Sequence, residues 1–164
     1  MSIFTTYRPV AAPLRPDRWF GGPGFRFGLP WPWEDAPGAV TVVDQSGSSS
    51  APTLLSLIAP RSAGAGLAVV WAEPDAIDVN AMAATFGRSS AAGRGARLLS
   101  ERKALVARSR ALVVELLEPT GDHVIRVMIG GGPGTLFAEF AFPSNAADGY
   151  RPHVETALGT WAWG

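Results

Sequence analysis

The second half of the chain most constrains the fold, because apolar runs of strand length follow one another there with only short turns between them. Strands are predicted around Arg97 to Arg102, Leu105 to Ala107, Leu112 to Glu118 and Val124 to Ile129, with "PTGD" as a turn between the last two. After "GGGPG" at 130 to 134, the run "TLFAEFAF" places four apolar side chains on one face: Leu136, Ala138, Phe140 and Phe142. Because short turns join antiparallel strands, we expect an antiparallel sheet.

The first half contributes further strands and one helix. Phe25 to Leu29 alternates apolar residues with Arg26 on the other face, and short apolar runs predict strands at Val40 to Val43, Leu54 to Ala59 and Leu67 to Ala72. A helix is predicted after Asp78 as its N-cap, with Gly87 as its stop. Its apolar residues have helical spacing: Val79, Met82, Ala83 and Phe86.

The two ends of the chain differ in character. The tail predicts a second helix whose apolar stripe is Tyr150, Val154, Leu158 and Trp161, with Pro152 in its first turn or at a kink. Residues 1–22 contain Pro9, Pro13 and Pro16, which favour extended backbone. We therefore expect an α+β fold with a single antiparallel β-sheet flanked by helices, in which 23–164 form one domain and 1–22 an extended proline-rich N-terminal arm.

Composition excludes several classes of function. The chain has 164 residues, no cysteine, and 14 basic against 14 acidic residues. Disulfides, thiolate metal sites and cysteine nucleophiles are thereby excluded, and a balanced charge gives no global field for nucleic acid. No run approaches the ~20 apolar residues of a membrane span, and the N-terminus has no secretory pattern. We expect a cytoplasmic protein, bacterial in origin, with neither nucleic-acid binding nor membrane insertion.

No catalytic, cofactor or metal motif emerges from the residues. "GGGPG" lacks the lysine of a phosphate-binding loop, and neither "RSAGAG" nor "GRSSAAGRG" places a dinucleotide pattern between a strand and a helix. His123 and His153 belong to no paired metal motif, and the GxSxG motif of serine hydrolases does not occur. We therefore expect no catalytic residues, no cofactor and no metal, and hence a protein that is not an enzyme.

Basic residues are concentrated in one segment. Seven of the 14 lie within 88–110, against one acid, Glu101: Arg88, Arg94, Arg97, Arg102, Lys103, Arg108 and Arg110. One interpretation is an exposed hairpin whose charges prevent edge pairing, and the other is a docking face for an acidic partner. The tryptophans leave a similar choice. The pairs Trp31 with Trp33 and Trp161 with Trp163 either line an aromatic cage or pack in the core.

Three stretches resemble one known fold group. "GFRFGLPWPWE" looks like the first strand of the PsbP-like group, the stretch from "RLLSERKALV" to "TLFAEFAFPS" resembles its central hairpins, and "YRPHVETALGTW" resembles its closing helix. The resemblance covers about residues 23–162. The group includes photosystem extrinsic subunits, Ran-binding Mog proteins, LpqN-type lipoproteins and Eag-type chaperones. It implies a PsbP-like α/β sandwich, with helices packed on a central antiparallel sheet, and binding without catalysis.

The chain departs from this group in three places. It has no cysteine for lipidation, it has "RSR" at 108–110 where a glycine turn is often seen, and its first 22 residues have no counterpart that aligns. The register of the strands around that turn is therefore left open by the resemblance.

The expected function is binding or adaptor work, with a protein partner held by the sheet face or the N-terminal arm, and a chaperone for an apolar segment is one form of it. The candidate partner-binding residues are Phe4, Tyr7, Trp19, Phe20, Arg102, Lys103 and Arg108. Two alternatives stay open. One is a structural subunit of a homo-oligomer or larger assembly with a donated arm, and the other is an enzyme whose site is not visible in sequence.

Overall fold

The computed structural model describes residues 4–9, 11–37, 53–60, 64–73, 77–130 and 135–164. The strand predicted at Val40 to Val43 and the "GGGPG" turn lie outside these residues apart from Gly130. The strands are β1 Thr5–Thr6, β2 Arg18–Gly22, β3 Phe25–Leu29, β4 Glu34–Asp35, β5 Thr53–Ala59, β6 Gly66–Glu73, β7 Arg97–Val106, β8 Ser109–Leu117, β9 Asp122–Ile129, β10 Thr135–Pro143 and β11 Ala162–Trp163. The helices are α1 Val79–Met82, α2 Phe86–Ala92 and α3 Ala147–Thr160, with a 3₁₀ turn at Ser144–Ala146.

The strands form a large sheet of eight strands and a small sheet of three. The large sheet has the order β1-β7-β8-β9-β10-β6-β5-β4, and the small sheet has the order β11-β3-β2. The prediction of an α+β fold is confirmed, but the prediction of a single antiparallel sheet is wrong. β1 lies parallel to β7. A parallel pair needs a long connection, and most of the first hundred residues separate these two strands in the chain. The large sheet is therefore mixed.

The large sheet is covered on both faces. On one face, α3 and the small sheet bury the main core, whose largest members include Phe27, Phe140 and Tyr150. On the other face, α1 and α2 pack over a second cluster that contains Phe86, Trp71 and others. We call these the α3 side and the α1–α2 side. Since successive residues of a strand point to opposite faces, each strand supplies both clusters.

The closing helix is confirmed. Tyr150, Val154 and Leu158 of α3 are nearly fully buried, and Trp161 follows at its end, stacked on Phe25 and Phe27 at centroid distances of 5.4 and 4.9 Å. The apolar stripe therefore does what its spacing predicts: it holds the small sheet and the large sheet together.

The helix predicted from Asp78 to Gly87 begins as expected but is broken. The Asp78 carboxylate caps α1 by accepting from the Asn80 N–H at 3.0 Å. Gly87 does not stop this helix. It lies inside α2, where an added Cβ would meet the flexible end of the Glu101 side chain and the Leu98 side chain of β7. The apolar spacing spanned two short helices, and the break between them is not marked by glycine or proline.

The strands predicted at Arg97 to Arg102 and Leu105 to Ala107 are one strand, β7. It pairs along its length with β8, and the two residues Ala107 and Arg108 make the turn, with φ of 50° and 66°. Positive φ at both positions is the requirement of a tight two-residue hairpin, which glycine or asparagine usually meets. The prediction of a separate strand at 105–107 was therefore wrong. The turn at Ala107 and Arg108 contains no glycine or asparagine that would have marked the end of β7 in the sequence.

The N-terminal segment is built into both sheets. β1 extends the large sheet, and β2 pairs with β3 from Arg18 opposite Leu29 to Gly22 opposite Phe25. Between them, Leu14 exchanges hydrogen bonds with the Thr156 hydroxyl of α3 at 2.8 and 3.0 Å. The segment thus lies on the domain along its described length.

Candidate functional site

The edge of the large sheet at β7 is paired over only part of its length by the residues that the structure describes. β7 has ten residues, but β1 pairs only with Ala104 and Leu105, so among the described residues the stretch before Ala104 pairs with β8 alone. A register shift near Leu99 leaves that side chain 38% exposed, as a β-bulge does. We call the stretch from Ser100 to Lys103 the open edge. Cavities lie on both sides of it.

The cavity on the α3 side has a volume of about 250 Å³ and lies between β7, β8, β9 and α3. Its floor is apolar, formed by Val113, Ile125 and Val154, and Tyr7 lies at its rim. We call it the Tyr7 cleft. Its polar wall consists of two acid–base groups, each of which contains one buried or partly buried glutamate and one arginine.

The first group ties the N-terminal segment to α3. Glu155 has a side chain only 3% exposed, and it accepts a short hydrogen bond from the Tyr7 hydroxyl. The Arg102 guanidinium donates to Tyr7 Oη at 2.7 Å and to Glu155 Oε1 at 3.4 Å, and it lies over the Tyr7 ring. It also donates to the Arg8 carbonyl at 2.8 Å. Arg102 therefore bonds to both Tyr7 and Arg8 and holds this part of the N-terminal segment against β7 and α3.

The second group joins α3 to the middle of the sheet. Arg151 of α3 forms an ion pair with Glu115 of β8, whose other oxygen lies 3.4 Å from His123 Nε2. Arg151 also lies 3.5 Å from the same imidazole nitrogen. The cleft is therefore lined by three glutamates and two arginines, and two of the glutamates, Glu115 and Glu155, are each paired with an arginine.

The protonation states of Glu115 and Tyr7 are unsuited to proton transfer at neutral pH. Burial would raise the pKa of Glu115, but the hydrogen bond from His123 and the charge of Arg151 outweigh it and hold that pKa below its usual range. Burial, together with the Glu155 carboxylate, raises the pKa of Tyr7 far above its usual value. Glu115 therefore stays ionised and Tyr7 stays a phenol, so both bind and position rather than exchange protons.

The cavity on the α1–α2 side is a groove of about 350 Å³ between β7 and the two short helices. Phe86, Leu112 and Val114 lie at its base and are nearly fully buried, while Glu101 and Lys103 of the open edge lie along it. We call it the helix-side groove. Arg88 follows Gly87 in α2 and is exposed.

The structure brings together some of the predicted partner-binding residues and separates others. Tyr7 and Arg102 meet in the cleft, Lys103 lines the groove on the other face, and Arg108 lies exposed in the hairpin turn. Phe4 is partly buried at 5.7 Å from the Arg110 guanidinium.

Trp19 and Phe20 lie elsewhere, in β2. Trp19 is 52% exposed beside Arg26, whereas Phe20 is 4% exposed and fills the core. A partner could contact Trp19 directly, but it could reach Phe20 only by displacing β2. The partner-binding surface at β7 therefore does not include these two side chains.

Sequence reasoning missed Glu115, Glu155 and Arg151. Glu115 carried a signal, because it occupies an inward position in the alternating strand "ALVVELL" between Val113 and Leu117. Glu155 follows Val154 of the apolar stripe, so its burial was also readable. Their partners could not be found, since Arg151 lies 36 residues from Glu115 and Tyr7 lies 148 from Glu155.

The tryptophan pairs are resolved mainly in favour of packing. Trp33 is 4% exposed, donates to His153 Nδ1 at 2.9 Å and contacts the rings of Phe140 and Tyr150. Trp31 is 78% exposed, so the two members of that pair have opposite roles. Trp33 and Trp161 belong to the same core cluster but have different ring partners.

No group of three or more histidine or acidic side chains within the described ranges is arranged to hold a metal ion. None of the helices in that part of the chain is long and apolar enough to cross a membrane.

Comparison with known proteins shows the fold. No family model matches the chain, and no curated protein matches it significantly. The solution structure of cyanobacterial PsbP (CyanoP) from Synechocystis sp. PCC 6803 is similar with a TM-score of 0.57 at 12% identity, over 90% of this chain and 92% of that one. The crystal structure of the protein of unknown function PA94 from Pseudomonas aeruginosa is similar with a TM-score of 0.52 at 13% identity, over 82% and 88%. The chain has a PsbP-like fold.

Proposed function

We propose that this protein is a non-catalytic binding or adaptor protein that holds a protein partner at the β7 edge of its large sheet. The observation that carries the proposal is the open edge itself: a stretch of β7 that contains the half-buried Arg102 and Lys103, pairs on one side alone within the described chain, and has a cavity on each face. Exposed strand edges are templates for pairing with another chain.

The hairpin turn adds a second argument. Arg108 has a φ of 66° and an exposed side chain, in a position where glycine would cost less conformational energy. Backbone held in an unfavourable region is concentrated at functional sites, so a charged side chain presented from such a position supports a binding role.

The adaptor form of the proposal is favoured over a chaperone for an apolar segment. A chaperone of that kind needs a broad apolar surface. Both faces of the large sheet are covered, and within the described residues the exposed large apolar side chains are scattered: Leu14, Trp19, Trp31 and Leu99.

Affinity purification from the native host tests the proposal. The baits are the wild-type chain, a variant with Arg97→Gln and Arg108→Gln, and a matched variant with Arg15→Gln and Arg18→Gln, all at exposed arginines. We expect one partner to be retained by the wild type and the matched variant and lost by the β7 variant. Melting should change little in either variant, since exposed charges contribute little to folding. Equal retention by all three baits would contradict the proposal.

A donated N-terminal arm is the second candidate. It is favoured by the small size of β1, whose two residues join the edge of β7 through few contacts. Thr6 lies opposite Leu105, and the chain has no cysteine, so Thr6→Cys and Leu105→Cys placed on separate chains report exchange directly. A disulfide-linked dimer in the oxidised mixture would support arm donation, and monomers alone would exclude it.

A further inference from the structure

We propose that Arg126 of β9 is the anchor of a small-molecule site on the α1–α2 side of the large sheet, and that the site binds a monocarboxylate with an apolar body. The carboxylate pairs with the Arg126 guanidinium, and the apolar body lies along the base of the helix-side groove. The inference goes beyond the proposed function, because it concerns a small ligand and not a protein partner.

Arg126 is a cation without an acceptor for its hydrogen-bond donors. Its side chain is half-buried, and its Nε is buried with no hydrogen-bond partner. No ion pair in the described part of the chain includes it. Its Cζ instead lies 5.4, 5.8 and 5.7 Å from the ring centroids of Trp71, Phe86 and Phe137. Ring faces attract a cation but do not satisfy the donors of a guanidinium, so these remain available to a ligand.

The carboxylate that lies opposite Arg126 in the sheet is bonded elsewhere. Glu139 of β10 is the register partner of Arg126, but both of its oxygens accept from Arg94, at 2.7 and 3.2 Å. Burial lowers the pKa of Arg126, and the charge of Glu139 only partly opposes this. Since buried charges in proteins are normally paired, an incoming anion would complete this arrangement.

A second buried polar group without a partner belongs to the helix that covers Arg126. Ser90 of α2 is 2% exposed, and its Oγ has no hydrogen-bond partner. Phe86 and Ser90 are four residues apart in this helix, so they share the face that packs on the sheet. Two donors without acceptors therefore face the layer between α2 and the sheet.

The helix-side groove provides the space for the apolar body. Its volume of about 350 Å³ lies at the lower end of the range for small-ligand cavities, roughly 300–1,000 Å³. Two residues at its base are also neighbours of Arg126: Phe86 through its ring, and Val114 as the residue opposite Arg126 on β8. Because adjacent strands lie about 4.8 Å apart, the carboxylate of a ligand that rests on Val114 and Leu112 reaches the guanidinium one strand further on.

The charges around Arg126 favour a carboxylate over a phosphate. A single guanidinium presents a fork that matches one carboxylate. Glu139 and Glu73 act on Arg126 as negative charges, and the positive charge of Arg94 is shared between Glu139 and Glu118. These glutamates would repel the additional charge that a phosphate monoester carries near neutral pH. The ligand is therefore a singly charged carboxylate joined to an apolar group.

Methyl NMR titration of the full chain tests the proposal with three probes that share one ring and differ in charge: benzoate, benzyl alcohol and phenyl phosphate. We expect benzoate to bind at least about tenfold more tightly than either of the others, because benzyl alcohol has no charge to pair and phenyl phosphate has more than one. The methyl signals of Leu112 and Val114 should shift, while those of Val113, which lines the Tyr7 cleft, should not.

Two protein variants make the same change at arginines that both lie over an aromatic ring. Arg126→Met should weaken benzoate binding by about tenfold or more and remove its preference over benzyl alcohol. Arg110→Met, at an exposed arginine 5.7 Å from the Phe4 ring, should change neither. Circular dichroism melting establishes that both variants fold. Arg126→Lys keeps the charge without the planar fork, so it should weaken benzoate binding but retain the preference over benzyl alcohol.

Several outcomes would overturn the site. These are no binding of benzoate to the wild-type chain, equal affinities for benzoate and benzyl alcohol, and an Arg126→Met chain that binds benzoate as the wild type does. Tighter binding of phenyl phosphate would contradict the assignment of a carboxylate, and shifts confined to Val113 would contradict the position of the ligand. None of these results depends on a partner at β7, so the failure of either proposal leaves the other standing.

Discussion

The two tryptophans of "WPW" allow a sharp test of the packing, because they are the same type of residue two positions apart and lie in opposite environments. Trp33 is 4% exposed and lies among Phe140, Tyr150 and His153, whereas Trp31 is 78% exposed. The perturbation is Trp33→Ala, with Trp31→Ala as its matched control and Trp33→Phe as an intermediate.

The expected magnitude follows from the contacts that are lost. Truncating a buried tryptophan to alanine costs roughly 3–5 kcal/mol. The Trp33 indole also donates to His153 Nδ1 at 2.9 Å, and removing a donor from a buried acceptor costs about 1–3 kcal/mol. Trp33→Phe retains much of the ring volume and loses this hydrogen bond, so it should cost less than Trp33→Ala. Trp31→Ala should stay within about 0.5 kcal/mol.

Urea unfolding followed by circular dichroism measures these free energies, and thermal melting gives a second readout. For a chain of this size, about 1 kcal/mol corresponds to roughly 2–4 °C in Tm. We expect Trp33→Ala to lower Tm by at least about 6 °C while Trp31→Ala leaves it nearly unchanged. Equal effects of the two substitutions, or a stable Trp33→Ala, would refute the packing described for α3.

Three further predictions concern stability. Phe20→Ala should destabilise by about 3–5 kcal/mol while the neighbouring Trp19→Ala costs far less, by urea unfolding. Replacing Ala107 and Arg108 by Asn-Gly should stabilise the hairpin by about 1 kcal/mol or more, because it relieves positive φ at non-glycine residues. The folded pKa of Glu115 lies below its unfolded value, so its stabilisation is present above about pH 4.3 and is lost as pH falls through the folded pKa. Glu115→Gln should therefore flatten the acid side of a stability–pH curve.

Much of the fold was predictable because it follows from local patterns. Period-two alternation located β3 and β10, apolar runs of strand length located β5, β6 and β9, and helical spacing located α3 with its buried stripe. These patterns depend on neighbours a few residues apart, which a sequence displays directly. The position of the turn between β7 and β8 was missed for a local reason also, since Ala107 and Arg108 adopt a conformation that their residue types rarely take.

The candidate site was predictable only in part, because it depends on pairing between distant residues. The parallel contact of Thr5 and Thr6 with β7 left no local signal, and it is this contact that carries Tyr7 to Arg102 and Glu155. The excess of basic residues in 88–110 includes Arg102 and Lys103, which the structure places on the open edge. It did not show that Lys103 and Arg102 face opposite sides of the sheet.

The central claim is that a partner occupies the open edge of β7, and amide hydrogen exchange measured by NMR tests it most directly. The full chain is compared alone and with a saturating concentration of the partner that the wild-type bait retains. Amides of Ser100 to Lys103 that face away from β8 should exchange rapidly in the free protein and become protected in the complex, while Trp19 and its neighbours in β2 should not change. Unchanged exchange along β7, or protection confined to β2, would contradict the account.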